Sequence, residues 1–99
     1  MLLIAGTVRI PAEKVAEARA AGRRMIEATR AEDGCVQYAF AEDVVDPGLI
    51  HISEVWRDQA ALDKHAASAH MAEWRKAGRE LGVHDRNLRI YEVGEGRSL

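Results

Sequence analysis

The chain has 99 residues, 47% hydrophobic and 30% charged, with a net charge of −2. That length suffices for one domain and not for two, and the near-neutral balance excludes a broad basic field for nucleic acid or an anionic membrane surface. No apolar run approaches the ~20 residues a membrane helix needs, and the lone Cys35 excludes an intrachain disulfide.

Leu2 to Ile10 is rich in apolar and β-branched residues and reads as a first strand, not a leader peptide. Pro11 ends it and suits the first turn of a helix. From Ala12 to Arg30 the apolar or small residues Val15, Ala18, Gly22, Met25, Ile26 and Thr29 recur with a 3.6-residue period, leaving the charges opposite. Arg19, Arg23, Arg24 and Arg30 gather on that helix with Glu17 and Glu27 among them, and no aromatic residue stands between them to stack on a base. They read as a solvated face. Glu32-Asp33-Gly34 is a stop signal.

Cys35 to Glu42 reads as a second strand with Val36, Tyr38 and Phe40 on one face and Cys35 as a small buried thiol. Asp46-Pro47-Gly48 is hairpin chemistry. Leu49 to Trp56 is a third strand, with Ile50, Ile52, Glu54 and Trp56 on one face and His51, Ser53 and Val55 on the other. Asp58 suits a helix cap, after which Ala61, Leu62, His65 and Ala66 share a face. Ser68 marks a break or a fresh start. A following helix places Met71, Trp74, Gly78 and Leu81 on one stripe, with His70 at its flank, and ends at Gly82. Leu88 to Val93 is a last strand.

The order β-α-β-β-α-β predicts an α+β, ferredoxin-like domain over residues 1–94, with a four-stranded antiparallel sheet, helices on one face, and 95–99 as a frayed tail. A chain this small makes only a small core. The uncovered sheet face also carries apolar residues, so two sheets are expected to pack into a dimeric α+β barrel, burying ~2,000 Å² or more. A soluble, cytoplasmic homodimer without nucleic-acid or membrane partners is the expectation.

His65 is the sharpest chemical candidate. It falls on the apolar face of its helix, and a neutral imidazole suits proton transfer near neutral pH. It reads either as a site residue that accepts a proton from a substrate hydroxyl or as a buried structural histidine with a partner such as Glu54. His70 lies about 140° away on one continuous helix, so the two converge only if the chain bends near Ser68. A metal site from His51, His65, His70 and Glu54 is disfavoured, because strand parity puts His51 and Glu54 on opposite faces. Trp56, Tyr38, Phe40, Met71 and Trp74 read as a flat aromatic pocket wall or as ordinary core. Glu54 is costly on an apolar face unless paired; a helix, His65 or a dimer partner could each supply the pair.

Glu32-Asp33-Gly34-Cys35-Val36-Gln37-Tyr38 resembles the E-x-G-x-x-x-Y motif of antibiotic biosynthesis monooxygenase (ABM) domains. Glu54-Val55-Trp56-Arg57-Asp58, with Ala61-Leu62, His65 and His70, is similar to their E-x-W-x-D-x-x-A-L-x-x-H-x-x-x-x-H block. Ala69 stands where the family often has Pro. The resemblance implies a dimeric barrel with a pocket between sheet and helices, quinol-like or anthrone-like aromatic substrates oxidised with O2, and no flavin, haem or metal cofactor. In this reading His65 is the base, and Trp56, Tyr38, Phe40, Glu54, His70, Met71 and Trp74 bind substrate. The similar haem-degrading branch wants an Asn on the first strand, a Trp at position 65 and a His at position 75. This chain has no such Asn, and has His65 and Arg75. Because fold does not fix reaction, two rivals stand beside it: a small-metabolite isomerase, which would want cations such as Arg75, Lys76 and Arg79 near the histidine, and a non-catalytic dimer that holds a hydrophobic ligand.

Overall fold

Four strands and three α-helices follow in the expected order: β1 Leu2–Arg9, a short 3-10 turn Ala12–Lys14, α1 Val15–Arg30, β2 Cys35–Glu42, β3 Leu49–Trp56, α2 Gln59–Ala66, α3 Ala69–Leu81 and β4 His84–Glu92. This computed structural model describes all 99 residues. The sheet runs β2-β3-β1-β4 with every neighbouring pair antiparallel. It is the ferredoxin-like α+β arrangement.

Side-chain alternation fixes the register. Leu2, Ile4, Gly6 and Val8 lie opposite Trp56, Glu54, Ile52 and Ile50, so these residues share the sheet face that the helices cover. The buried face of α1 is Val15, Ala18, Gly22, Met25 and Thr29. Asp58 Oδ1 accepts from the Ala61 N–H at 2.9 Å and starts α2. Ser68 does the same for α3, accepting from the Met71 N–H. The chain therefore turns at Ser68, as the serine suggests, and α2 and α3 are separate helices.

Two glycines are forced. Gly34, at φ 87°, brings the α1–β2 turn so close to α2 that a Cβ there would lie 2.5 Å from the Ala61 Cβ. Gly6, at φ 150°, lets β4 cross β1 closely; a Cβ would lie 2.0 Å from the Asn87 carbonyl oxygen.

The interior divides into two clusters. Val8, Ile10, Val15, Ala18, Ile50 and Ile52 form a wholly apolar one. Met25, Tyr38, Trp56 and Ala61 form the other, with Leu62, Met71 and Trp74 packed against it. Phe40 touches both.

Two expectations need correction. Val36 does not join Tyr38 and Phe40; it is exposed. The ladder slips between Cys35 and Gln37, a bulge that spends one extra residue and turns Val36 outward. β4 begins at His84, not Leu88, because Arg9 pairs with His84 across a second irregularity in β1–β4. Asp85 takes the left-handed conformation there, φ 49°, which Asp tolerates better than most residues. This edge strand is mostly exposed, so its polar start shows no alternation to read.

Candidate functional site

Glu32, His65 and His70 meet at one carboxylate oxygen. Glu32 comes from the turn after α1, His65 from the last turn of α2 and His70 from the first turn of α3. The bend at Ser68 brings the two histidines together; its hydroxyl also donates to the His65 carbonyl oxygen at 2.7 Å. His65 Nδ1 lies 2.9 Å from Glu32 Oε1, and His70 Nε2 contacts the same oxygen. His65 is 3% exposed. Where the Glu32 carboxylate accepts, the donor is His65 Nδ1–H, and in the neutral imidazole that tautomer keeps the lone pair on Nε2.

His65 sits within an aromatic shell. Its ring centroid is 4.6 Å from that of Trp56 and 5.3 Å from that of Tyr38. Burial pushes the Tyr38 phenol far above its ordinary range, with Glu54 adding to the shift, so Tyr38 stays protonated. Burial likewise raises the Cys35 thiol, helped by Glu32 and Glu54. Cys35 is thus a half-buried thiol and not a nucleophile.

Glu54 is buried, and its partner is neither His65 nor a helix. The Trp56 indole N–H donates to Glu54 Oε1 at 3.0 Å. Burial raises the Glu54 carboxyl; the indole bond, then His65 and Arg86, pull it back.

A cavity of about 350 Å³ lies between α1, the sheet and α3. Ile10, Val15, Ile26 and Ile50 give its apolar wall, Phe40 and Trp74 its aromatic one, with the two rings edge to face at 5.8 Å. Arg19, Arg23 and Arg30 stand around it with Glu27 and Glu42. Arg19 holds Glu42 through two bonds of 2.7 Å, and Arg23 holds Glu27 at 2.8 Å. Arg30 donates to the Tyr38 carbonyl oxygen at 2.9 Å. The arginines read as a solvated face are exposed, as expected, yet three of them also border this cavity.

Of the residues expected to form an aromatic wall, only Phe40 and Trp74 line the cavity. Trp56 is fully enclosed and Tyr38 nearly so, and Met71 packs beside them. The Tyr38 ring centroid is 5.6 Å from that of the cavity-wall Phe40 and 5.3 Å from that of His65. His65 itself does not line the cavity. Arg75, Lys76 and Arg79 are exposed on α3 and do not converge on the histidines; Arg75 caps the Ala66 carbonyl oxygen at 2.7 Å. His51 pairs with Asp43 at 2.8 Å instead of joining a metal set.

Residues 1–77 match the family described as antibiotic biosynthesis monooxygenase. The chain belongs to the ABM family. An uncharacterised protein of Synechocystis is 31% identical over 98 residues, covering 99% of this chain and 67% of the relative. A Mycobacterium tuberculosis protein named "putative monooxygenase" is 39% identical over 69 residues, 66% of this chain and 67% of its own. Among solved structures, the Deinococcus radiodurans protein described as a "putative antibiotic biosynthesis monooxygenase" superposes with a TM-score of 0.90 at 33% identity, covering 100% of this chain and 98% of its own. For an ABM domain, the glutamate of the E-x-G-x-x-x-Y motif here has a defined place, as the acceptor between two histidines. The motif marked Glu32 by position, but nothing in the sequence paired it with helices more than thirty residues away.

Proposed function

We propose that this ABM domain is a cofactor-independent monooxygenase, working as a homodimer, that oxidises a small aromatic, quinol-like substrate with O2. The observation that carries the reading is the oriented base: His65, its Nδ1 held by the Glu32 carboxylate, in an aromatic shell adjoining a cavity of about 350 Å³. That volume suits a small aromatic molecule, and the Phe40 and Trp74 rings suit a flat one.

His65 Nε2 takes the proton of a phenol or enol. The resulting anion passes an electron to O2, and the substrate radical and superoxide combine. Loss of water then leaves one oxygen atom in the substrate. All four electrons that reduce O2 come from the substrate, and the second oxygen atom departs as water, so no flavin or haem is required. The buried aromatic shell keeps bulk water from the anion. His65 is buried and does not line the cavity, so contact between a cavity-bound substrate and the imidazole requires the side chains around His65, Tyr38 among them, to move.

The cavity also favours a second reading. Glu42 and Glu27 neutralise Arg19 and Arg23 at its border, which leaves Arg30 there as a cation without a carboxylate partner, and an isomerase of an anionic small metabolite could use it.

Oxygen uptake by metal-free protein, with a panel of reduced quinols and anthrones, tests the first reading. Saturable uptake above autoxidation that drops in Trp74→Ala and His65→Ala supports it. Uptake indistinguishable from autoxidation across the panel overturns it in favour of the isomerase or the non-catalytic, ligand-binding dimer.

A further inference from the structure

We propose that Glu32, His65 and His70 form a binding site for one divalent first-row transition-metal ion per chain. This goes beyond the oxygenation reading and does not depend on it.

The geometry is the first argument. One ligand atom from each residue lies within 4.8 Å of the other two, and Glu32 Oε1 is 2.9 Å from His65 Nδ1. Two ligand atoms held on one ion at ~2.0–2.2 Å are themselves ~3–3.5 Å apart. The three groups thus need to move by about 1–2 Å at most to take an ion in place of the contacts they now make. The residues come from three different elements joined by a turn at Gly34 and a cap at Ser68, each fixed by close packing or a hydrogen bond. The site is therefore preformed by the fold.

Ligand chemistry is the second. Two imidazoles and one carboxylate suit Zn²⁺, Co²⁺, Ni²⁺ and Fe²⁺, and do not suit Ca²⁺ or Mg²⁺, which want more oxygen. Three protein ligands leave a coordination position for water or a small ligand. The His70 side chain, 22% exposed, gives solvent a path to the site.

Electrostatics is the third. No Arg or Lys side chain pairs with Glu32; its partners are the two histidines. A dication thus meets a carboxylate that no ammonium or guanidinium group already neutralises.

Metal on His65 Nδ1 would move the imidazole proton to Nε2. In a protein that also follows the oxygenation reading, the metal-bound and base-competent states exclude one another.

The test is calorimetric titration of chelator-stripped protein with Zn²⁺ and, separately, Mg²⁺, with Co²⁺ absorption reporting the ligand field. Saturable 1:1 binding of Zn²⁺ but not Mg²⁺, weakened at least about tenfold in His70→Ala and in Glu32→Gln and unchanged in His51→Ala, supports the site. His70 is partly exposed, so its replacement spares the core; circular dichroism of each variant checks the fold. Absence of saturable Zn²⁺ binding up to about 1 mM, or binding that survives His70→Ala but fails in His51→Ala, overturns it. These readings involve no turnover, so they are independent of whether the oxygenase assay succeeds.

Discussion

The Trp56 indole N–H donates to the Glu54 carboxylate from two residues further along the same face of β3, at 3.0 Å. Both side chains are buried, Trp56 completely, so each satisfies a polar group that otherwise has no solvent. Trp56→Phe leaves the carboxylate unpaired and Glu54→Leu leaves the indole N–H unpaired. Each is expected to cost about 1–3 kcal/mol from this bond alone, with packing losses added for the tryptophan. The double variant restores part of the loss. A double-mutant cycle from urea unfolding at one fixed protein concentration should show a coupling of at least about 0.5 kcal/mol.

Glu54 also sets a pH dependence. Its folded carboxyl titrates above the ordinary value of 4.5, chiefly through burial. The folded state therefore holds the proton more tightly than the unfolded chain. Stability from this group is full below the unfolded pKa and is lost as pH rises through the folded one. Glu54→Gln removes the titration while keeping an acceptor for the indole. The melting temperature of Glu54→Gln relative to wild type should rise between pH 4 and pH 7. A gap that stays flat across that range would show that Glu54 pays no desolvation cost.

If His65 is the base, His65→Ala lowers turnover with a quinol by ~10²–10⁴. Glu32→Ala should lower kcat by less while leaving KM nearly intact, because it touches the imidazole and not the substrate.

Gly6→Ala should be among the most damaging single-methyl additions in the molecule. The new Cβ would lie 2.0 Å from the Asn87 carbonyl oxygen and 2.9 Å from the Leu88 Cα, both backbone atoms. The expected loss is about 2–4 kcal/mol, accompanied by faster amide hydrogen exchange along β4 than along β2.

The legible and illegible parts of this sequence follow from the range of the forces involved. Strand parity in β3 was readable because a two-residue period depends only on neighbours, and it correctly placed Glu54 and Trp56 inside and His51 outside. Asp58, Ser68 and Gly82 were readable for the same reason: caps act within one turn. The partner of Glu54 was not, although it stands two positions away, because a helix, His65 and the dimer were all equally open from the pattern. Glu32 appeared only as part of a helix stop and a motif. Its role depends on α2 and α3 folding back across the end of α1, which no local rule states. The bulge at Val36 and the early start of β4 were hidden because an unpaired or exposed residue leaves no periodic trace.

The interior has two parts that differ in kind. The cluster of Val8, Ile10, Val15, Ala18, Ile50 and Ile52 contains no polar side chain, while the one around Trp56 and Tyr38 adjoins Glu54 and His65. The polar groups of the molecule's interior are thus gathered around the second cluster, and the first is held by apolar packing alone. Phe40 belongs to the surroundings of both and also walls the cavity. Anything pressed against that ring leans on the seam between the wholly apolar half of the interior and the half that holds its buried polar groups.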